Sequence, residues 1–430
     1  MFQNLTDITE TLQTQINQLS SAGGGEILIP PGTYSFRPIA LKSNICLHLS
    51  AGARLVASPR KEDYFPIGYN HNEMREVYSA IYALGQENIT LKGEGTIDLN
   101  GDAFYHLDKP SLVVSVGPAI TQEYIDEAPR TYDWRVNQPM FFHQCANLRL
   151  DGLRILNAPC WTLSFNLCQA IKITHLTIHN SLILPNNDGM HFTGSRDILI
   201  SGCHIVAGDD CVALSSITDW NAPCENVVIS NCVFQSASKA LSVGYMHSIV
   251  RNVLIENVIV RKSNRAFVSM CHPHTGLVEN VRVANCIFEG RSYGGNWWGN
   301  GEAIVLMVTP HHISGYRDPL PAPRFDAGIR NVVFSNLTCL SERPIGIVAS
   351  EAAGAAAALI QNVQLKDLTI QITPEERPSL KGNVIDLAPG PQNYAIPRPG
   401  IGIVYRNAAL RLENILDHNG RPVEILEIEG

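Results

Sequence analysis

A short pattern recurs down the chain and leaves few folds open to it. A polar residue is followed by Asn or a substitute, then by apolar residues at alternate positions. It reads Glu87-Asn88-Ile89, Ala146-Asn147-Leu148, Gln169-Ala170-Ile171, Arg196-Asp197-Ile198, Glu225-Asn226-Val227, Arg251-Asn252-Val253, Glu279-Asn280-Val281, Arg330-Asn331-Val332 and Gln361-Asn362-Val363. From Asn147 to Asn280 the units are 23 to 29 residues long. Alternation within a unit, as in Val227-Val228-Ile229-Ser230-Asn231-Cys232-Val233-Phe234, is the period of a strand. A strand-rich unit of this length cannot bury its apolar face alone and must stack on its neighbours. The pattern therefore predicts an all-β fold, a right-handed parallel β-helix with coils ~4.8 Å apart. The frame of leucine-rich repeats is absent, and propeller blades need units of about 40 residues.

Six residues past the Asn position stand Leu153, Cys203, Cys232, Val258, Cys286, Leu337 and Leu368. All are apolar or thiol, so this position faces the interior of every coil, and three cysteines become a stacked core column. The repeated Asn suits a tight bend, where it tolerates φ > 0 and can bond to the next coil. The chain has eleven cysteines. An odd number without an export signal points to reduced thiols, and no C-x-x-C pair suggests zinc.

The whole chain, 1–430, reads as one stack. Residues 1–25 form an N-terminal cap, with Asp7 and Glu10 as a variant capping box for a helix over 7–19. Coils occupy 26–373, interrupted at 291–327 by a loop rich in Gly, Trp, His and Pro. His311 and His312, in that loop, are read as surface residues. Residues 374–430 are Pro-rich and irregular with late strand signals, and offer a surface for contacts between copies. A net charge of -8 argues against a nucleic-acid binder, whose domains carry a basic face. No stretch approaches the roughly 20 apolar residues of a membrane helix. Met1 to Leu19 lacks the pattern of a signal peptide, which points to the cytoplasm.

Chemistry is sought where charged residues share one position on successive coils. Asp210, Lys239 and Arg265 each lie thirteen residues past the Asn position of their units. A longer connection, Asn180 to Asn187, brings Asp188 to the same place one coil earlier, and Asp209 stands beside Asp210. Carboxylates held this close cannot all ionise freely, so at least one pKa should rise. Such a group can act as general acid while its neighbours remain bases, the arrangement for hydrolysing a glycoside. The adjoining cations would complement an anionic sugar. Two other readings stay open: a surface charge ladder with Asp210–Lys239 and Asp209–Arg265 ion pairs, and a calcium site built from the three Asp.

At these residues the chain resembles glycoside hydrolase family 28, the polygalacturonases and their relatives. That family carries Asn-Thr-Asp, Gly-Asp-Asp, Gly-His-Gly and Arg-Ile-Lys along a right-handed β-helix. Here the first two motifs read Asn186-Asn187-Asp188 and Gly208-Asp209-Asp210-Cys211, and the segment from Gly23 to Tyr34 resembles the family's N-terminal coil. The resemblance implies inverting hydrolysis, with Asp209 as general acid and Asp188 and Asp210 holding and deprotonating the attacking water. It implies no cofactor. Gly-His-Gly is replaced by Ser238-Lys239-Ala240, and Arg-Ile-Lys by Arg265-Ala266-Phe267. Those departures imply an altered pectic oligosaccharide substrate, with Lys239 binding carboxylate as a point charge.

Other residues complete the expected site. His191 follows Asp188 by three, and alternation turns it toward the interior or across from the Asp. His272 and His274 follow the Arg265 strand and are within reach of the cleft. Trp297 and Trp298 lie in the loop and suit a wall that stacks on sugar rings. Glu302 reads as a solvated loop carboxylate. Two further functions remain: a lyase on uronides with Lys239 or Arg265 as base, and a non-hydrolytic β-helix that binds carbohydrate or converts another small molecule.

Overall fold

The computed structural model describes residues 5–68, 76–111, 121–295, 297–310, 321–350, 359–376, 379, 381–390 and 393–428. Two long parallel sheets run through it. One has 21 strands, and the other has twelve, among them Met190–Thr193, Val212–Ser215, Lys239–Val243, Arg265–Cys271 and Glu302–Val308. The repeated pattern sets the register: Ile198 pairs with Val227, then Val253, Val281, Val332 and Val363 on successive coils.

The Asn column bends the chain as expected. Asn88, Asn147, Asn226, Asn252, Asn280, Asn331 and Asn362 all have φ between 50 and 58°. Each amide donates to its counterpart one coil back, for example Asn252 Nδ2 to Asn226 Oδ1 at 3.1 Å and Asn362 Nδ2 to Asn331 Oδ1 at 2.8 Å. A second ladder, five residues on, was not anticipated: Asn336 donates to Asn285, and Asn414 to Asp367. Both ladders use the left-handed region that Asn and Asp tolerate.

Inside the coils, like residues stack on like. Phe142, Phe165 and Phe192 lie parallel at centroid separations of 5.1 and 4.9 Å. The thiol column is buried, and the Cys203 backbone N–H donates to Cys232 Sγ at 3.4 Å. All eleven cysteines are free, and only Cys46 is not fully buried.

Three expectations about segments differ from the structure. The cap helix spans Thr9–Ser21 and has no side-chain cap. Thr6–Asp7 instead pairs as a strand with Tyr34 and Ser35, and Glu10 turns to Arg37, so the capping box does not form. The helix nevertheless covers the open end, because Gln13 bonds both backbone groups of Ala40 at 2.8 and 3.0 Å. That occupies groups an edge strand would offer to another chain. Within 291–327, Glu302–Val308 is a full rung between Arg265–Cys271 and Ile345–Ala349, while His311 and His312 lie outside the described residues. Within 374–430, Ile401–Arg406, Ala408–Leu416 and Glu424–Glu427 extend both sheets. Apolar residues of the late segment, including Ile385, Leu387 and Ile396, pack on Val268, Met270, Val305 and Met307 outside the twelve-stranded sheet. Among the described residues no helix is long and apolar enough to cross a membrane.

Candidate active site

The twelve-stranded sheet brings one column of charge together. Met190 pairs with Val212 and Val212 with Leu241, so the residues two places earlier, Asp188, Asp210 and Lys239, share a position on three coils. Lys239 pairs with Arg265, Arg265 with Glu302, and Glu302 bridges to Arg343. Two tight turns carry the carboxylates. Asn187 Oδ1 accepts from the Gly208 N–H at 2.6 Å, tying the longer connection to the next turn. A Cβ at Gly208 would collide with the Leu184 carbonyl oxygen, which explains Gly before the two Asp.

A cavity of about 180 Å³ opens where Asp188, Asp209, Asp210 and Lys239 meet. Lys239 Nζ lies 2.9 Å from Asp210 Oδ1 and 3.6 Å from Asp209 Oδ1. Burial, with the Asp209 charge adding to it, pushes the Asp210 carboxyl up to about 8 against the pull of Lys239. Burial disfavours the Lys239 ammonium, but Asp210 and Asp209 outweigh it and raise its pKa. The three carboxylates exceed the one ammonium, so a proton retained in the Asp209–Asp210 pair relieves the excess. Asp209 is the more open of the two, its side chain 17% exposed against 7% for Asp210. Asn186 donates to Asp209 Oδ2 at 3.3 Å and accepts from Arg135 Nη2 at 2.7 Å.

His191 does not turn inward. Its strand places it on the outer face, where Nδ1 lies 3.0 Å from Asp188 Oδ2 and Nε2 3.2 Å from Ser215 Oγ. Its ring stacks on Trp161 at 3.8 Å. Trp297 and Trp298 both line the cavity. Trp297 is 4% exposed, with its indole N–H donating to the Glu127 carbonyl at 3.1 Å. Trp298 is half-buried over the Lys239 ammonium, 4.4 Å from Nζ to the ring centre.

The other expected members are elsewhere. Arg265 is fully buried outside the cavity, with Glu302 at 3.7 Å and Asp386 at 3.8 Å, so no Asp209–Arg265 pair forms. Glu302 is not solvated: it is fully buried and accepts from the N–H groups of Asn300 and Asp386 at 2.7 and 2.8 Å. The loop and the late segment seal this part. Lys381 Nζ donates to Gly299 O and Asp386 Oδ2, both at 2.7 Å, and Gly299 N–H to Asp386 Oδ2 at 2.6 Å. His272 and His274 follow the far end of the Arg265 strand and turn toward His247 and Thr275, away from the cavity. The Lys239 ammonium sits against Asp209 and Asp210, two of the three carboxylates a calcium ion would need. Among the described residues no three His, Cys, Asp or Glu side chains are arranged to hold a metal.

Residues 67–295 match the family model described as Glycosyl hydrolases family 28, more than half of the chain. The chain belongs to glycosyl hydrolase family 28. Its matched region holds every Asp of the cavity and ends just before Trp297. A polygalacturonase, QRT2, of Arabidopsis thaliana is 25% identical over 54% of this chain and 50% of its own. The chain spans about half the length of the curated relatives it matches first. The crystal structure of a hyperthermoactive exopolygalacturonase from Thermotoga maritima aligns over 96% of this chain and 88% of its own, at TM-score 0.67 and 21% identity. A polygalacturonase from Erwinia carotovora aligns over 86% and 92%, at TM-score 0.59 and 17% identity. These two likenesses establish the family's β-helix fold.

Two cavity residues, Trp161 and Tyr245, and one supporting residue, Arg135, carry no signal used in the sequence reading. Trp161 sits at the column position one coil before Asp188, since Leu163 pairs with Met190, and counting one coil further back would have found it. Tyr245 follows the Lys239–Val243 strand, just past Gly244, on the cavity wall. Arg135, which holds Asn186, comes from a segment with no repeat signal.

Proposed function

We propose that the chain hydrolyses O-glycosidic bonds of pectin-type oligosaccharides by inverting single displacement, with a substrate preference altered from that of ordinary polygalacturonases. The observation that carries this reading is the Asp209–Asp210 pair, one coil from Asp188 and bridged by Lys239 in one cavity. A proton held by the pair at neutral pH is what a general acid needs, and Asp209, the more exposed member, delivers it to the leaving oxygen. Asp188, fixed by His191, accepts the proton of the attacking water together with Asp210 once the pair has given up its own. Asn186 orients Asp209, and the Trp297–Trp298 loop with Trp161 walls the sugar. Substrate class follows from the relatives' names, and the altered preference from Lys239 standing where the family motif has His.

The lyase reading is disfavoured. Its base would be Lys239 or Arg265, yet the carboxylates keep Lys239 in its ammonium form and Arg265 is sealed from the cavity. The deciding assay follows pectic oligosaccharides for new reducing ends. Hydrolysis releases them without ultraviolet absorption, and Asp209→Asn abolishes them. Absorption from an unsaturated uronide, or release by Asp209→Asn at the wild-type rate, would refute the proposal.

A further inference from the structure

The cavity's charge bears on which sugar it can take. Among its described lining residues, Lys239 is the sole Lys or Arg, beside three Asp. An ammonium has three donors. Two carboxylates and the face of the Trp298 indole surround that of Lys239, which is 4% exposed. A uronate carboxylate entering the cavity would have to compete with both carboxylates for it.

The neighbouring cations are equally committed. Arg135 spends its guanidinium on Asn186, the Tyr105 hydroxyl and the Pro185 carbonyl, and stacks on Tyr132 at 4.1 Å. Arg265 lies behind the loop, between Glu302 and Asp386, and also donates to the Asp386 carbonyl. An anionic sugar would thus face an excess of negative charge in a partly desolvated space, where like charges repel most strongly. What else the wall offers is the His191 imidazole, already on Asp188 and Ser215, the hydroxyls of Ser238 and Ser242, and the rings of Trp161, Tyr245 and Trp298.

Resting on the hydrolase reading above, we infer that the sugar unit seated in this cavity is uncharged, a neutral hexosyl or pentosyl residue of a pectic oligosaccharide, and that any galacturonate of the substrate lies outside it. Lys239 then serves to hold the carboxylate pair in place, not to bind substrate. This assigns cleavage next to a neutral sugar, as at a side chain or a mixed backbone.

Binding of free monosaccharides, which are not hydrolysed, tests this apart from turnover. Wild-type protein is titrated by calorimetry with D-galactose, D-xylose, L-arabinose and L-rhamnose, and with D-galacturonic acid at pH 7. At least one neutral sugar is expected to bind tenfold or more tighter than galacturonate. Galacturonate binding as tight as the best neutral sugar, or no binding by any neutral sugar, overturns the inference. In parallel, 4-nitrophenyl galactoside and the matching galactosiduronate, which differ only at C6, are compared by kcat/KM. A faster uronide also overturns it. Failure of Asp209→Asn to abolish reducing-end release would instead sink the hydrolase reading, so the two failures are distinguishable.

Discussion

One column of charge runs through the twelve-stranded sheet, and its two halves have opposite fates. In the first, Asp188, Asp210 and Lys239, with Asp209 beside them, open onto a cavity, and the acidic groups outnumber the cation. In the second, Arg265, Glu302 and Arg343 are sealed beneath residues 299–301 and 381–386, with Lys381 and Asp386 completing a network. The positions are equivalent in the repeat, and the side chains are of the same kinds. Their surroundings differ. In the open half burial raises Asp210, while in the sealed half burial acts against the Asp386 carboxylate but Lys381 and Arg265 outweigh it and hold its pKa down at about 2. Charge excess next to an opening makes a candidate reactive site, and paired charge under cover makes a clamp.

The sharpest break in this comparison is Asp209→Asn. It should lower kcat by about 10³–10⁴-fold, some 4–5 kcal/mol, with the unfolding midpoint in urea unmoved. Arg265→Met should do the reverse, costing about 3–5 kcal/mol of stability because Glu302 and Asp386 are left as buried charges. Adding Glu302→Leu should recover part of that loss, and urea unfolding of the single and double variants reads both. Full stability in Arg265→Met would mean that the sealed half is no clamp.

Asp210 and Asp386 should also titrate in opposite directions, whereas burial raises Glu302 as it does Asp210. Asp210 is raised, so the folded state holds a proton that the unfolded chain releases near 3.8. Its stabilisation is complete below that pH and is lost as pH rises toward about 8, at a slope approaching ~1.4 kcal/mol per pH unit. Asp386 is lowered, so its contribution is present above 3.8 and is lost as pH falls toward about 2. Asp210→Asn should flatten the first slope and Asp386→Asn the second in unfolding free energies measured from pH 2 to 9. The smallest effect is expected from Trp298→Ala. Loss of the ring over Lys239 and of the sugar wall should raise KM about fivefold, some 1 kcal/mol, with a smaller change in kcat.

Much of the column was legible because it follows from the repeat. Counting thirteen residues from Asp197, Asn226 and Asn252 placed Asp210, Lys239 and Arg265 in register, and the Asn ladder followed from the φ > 0 bends. What counting could not show was orientation and cover. Alternation predicts His191 either inward or across from Asp188, and its strand turns it out to bond Asp188. Glu302 was read as a solvated loop residue, although it opens a rung that pairs on both sides. Arg265 opens the strand Arg265–Cys271 and His272 and His274 only follow it, so neither end of that strand meets the cavity.

The sequence by itself determined the stack, its register and the gathering of three carboxylates on adjacent coils. These depend on a period of two within each strand and a repeat of 23 to 29 residues between coils, both local enough to be read along the chain. Only the tertiary structure decided which half of the column opens on a cavity and which is buried. That choice is made by segments without a period, Trp297 to Gly301 and Lys381 to Asp386, which lie close in sequence to few of the residues they cover. Burial by a distant segment sets whether a charge is solvated, paired or raised in pKa, and no spacing along the chain encodes it.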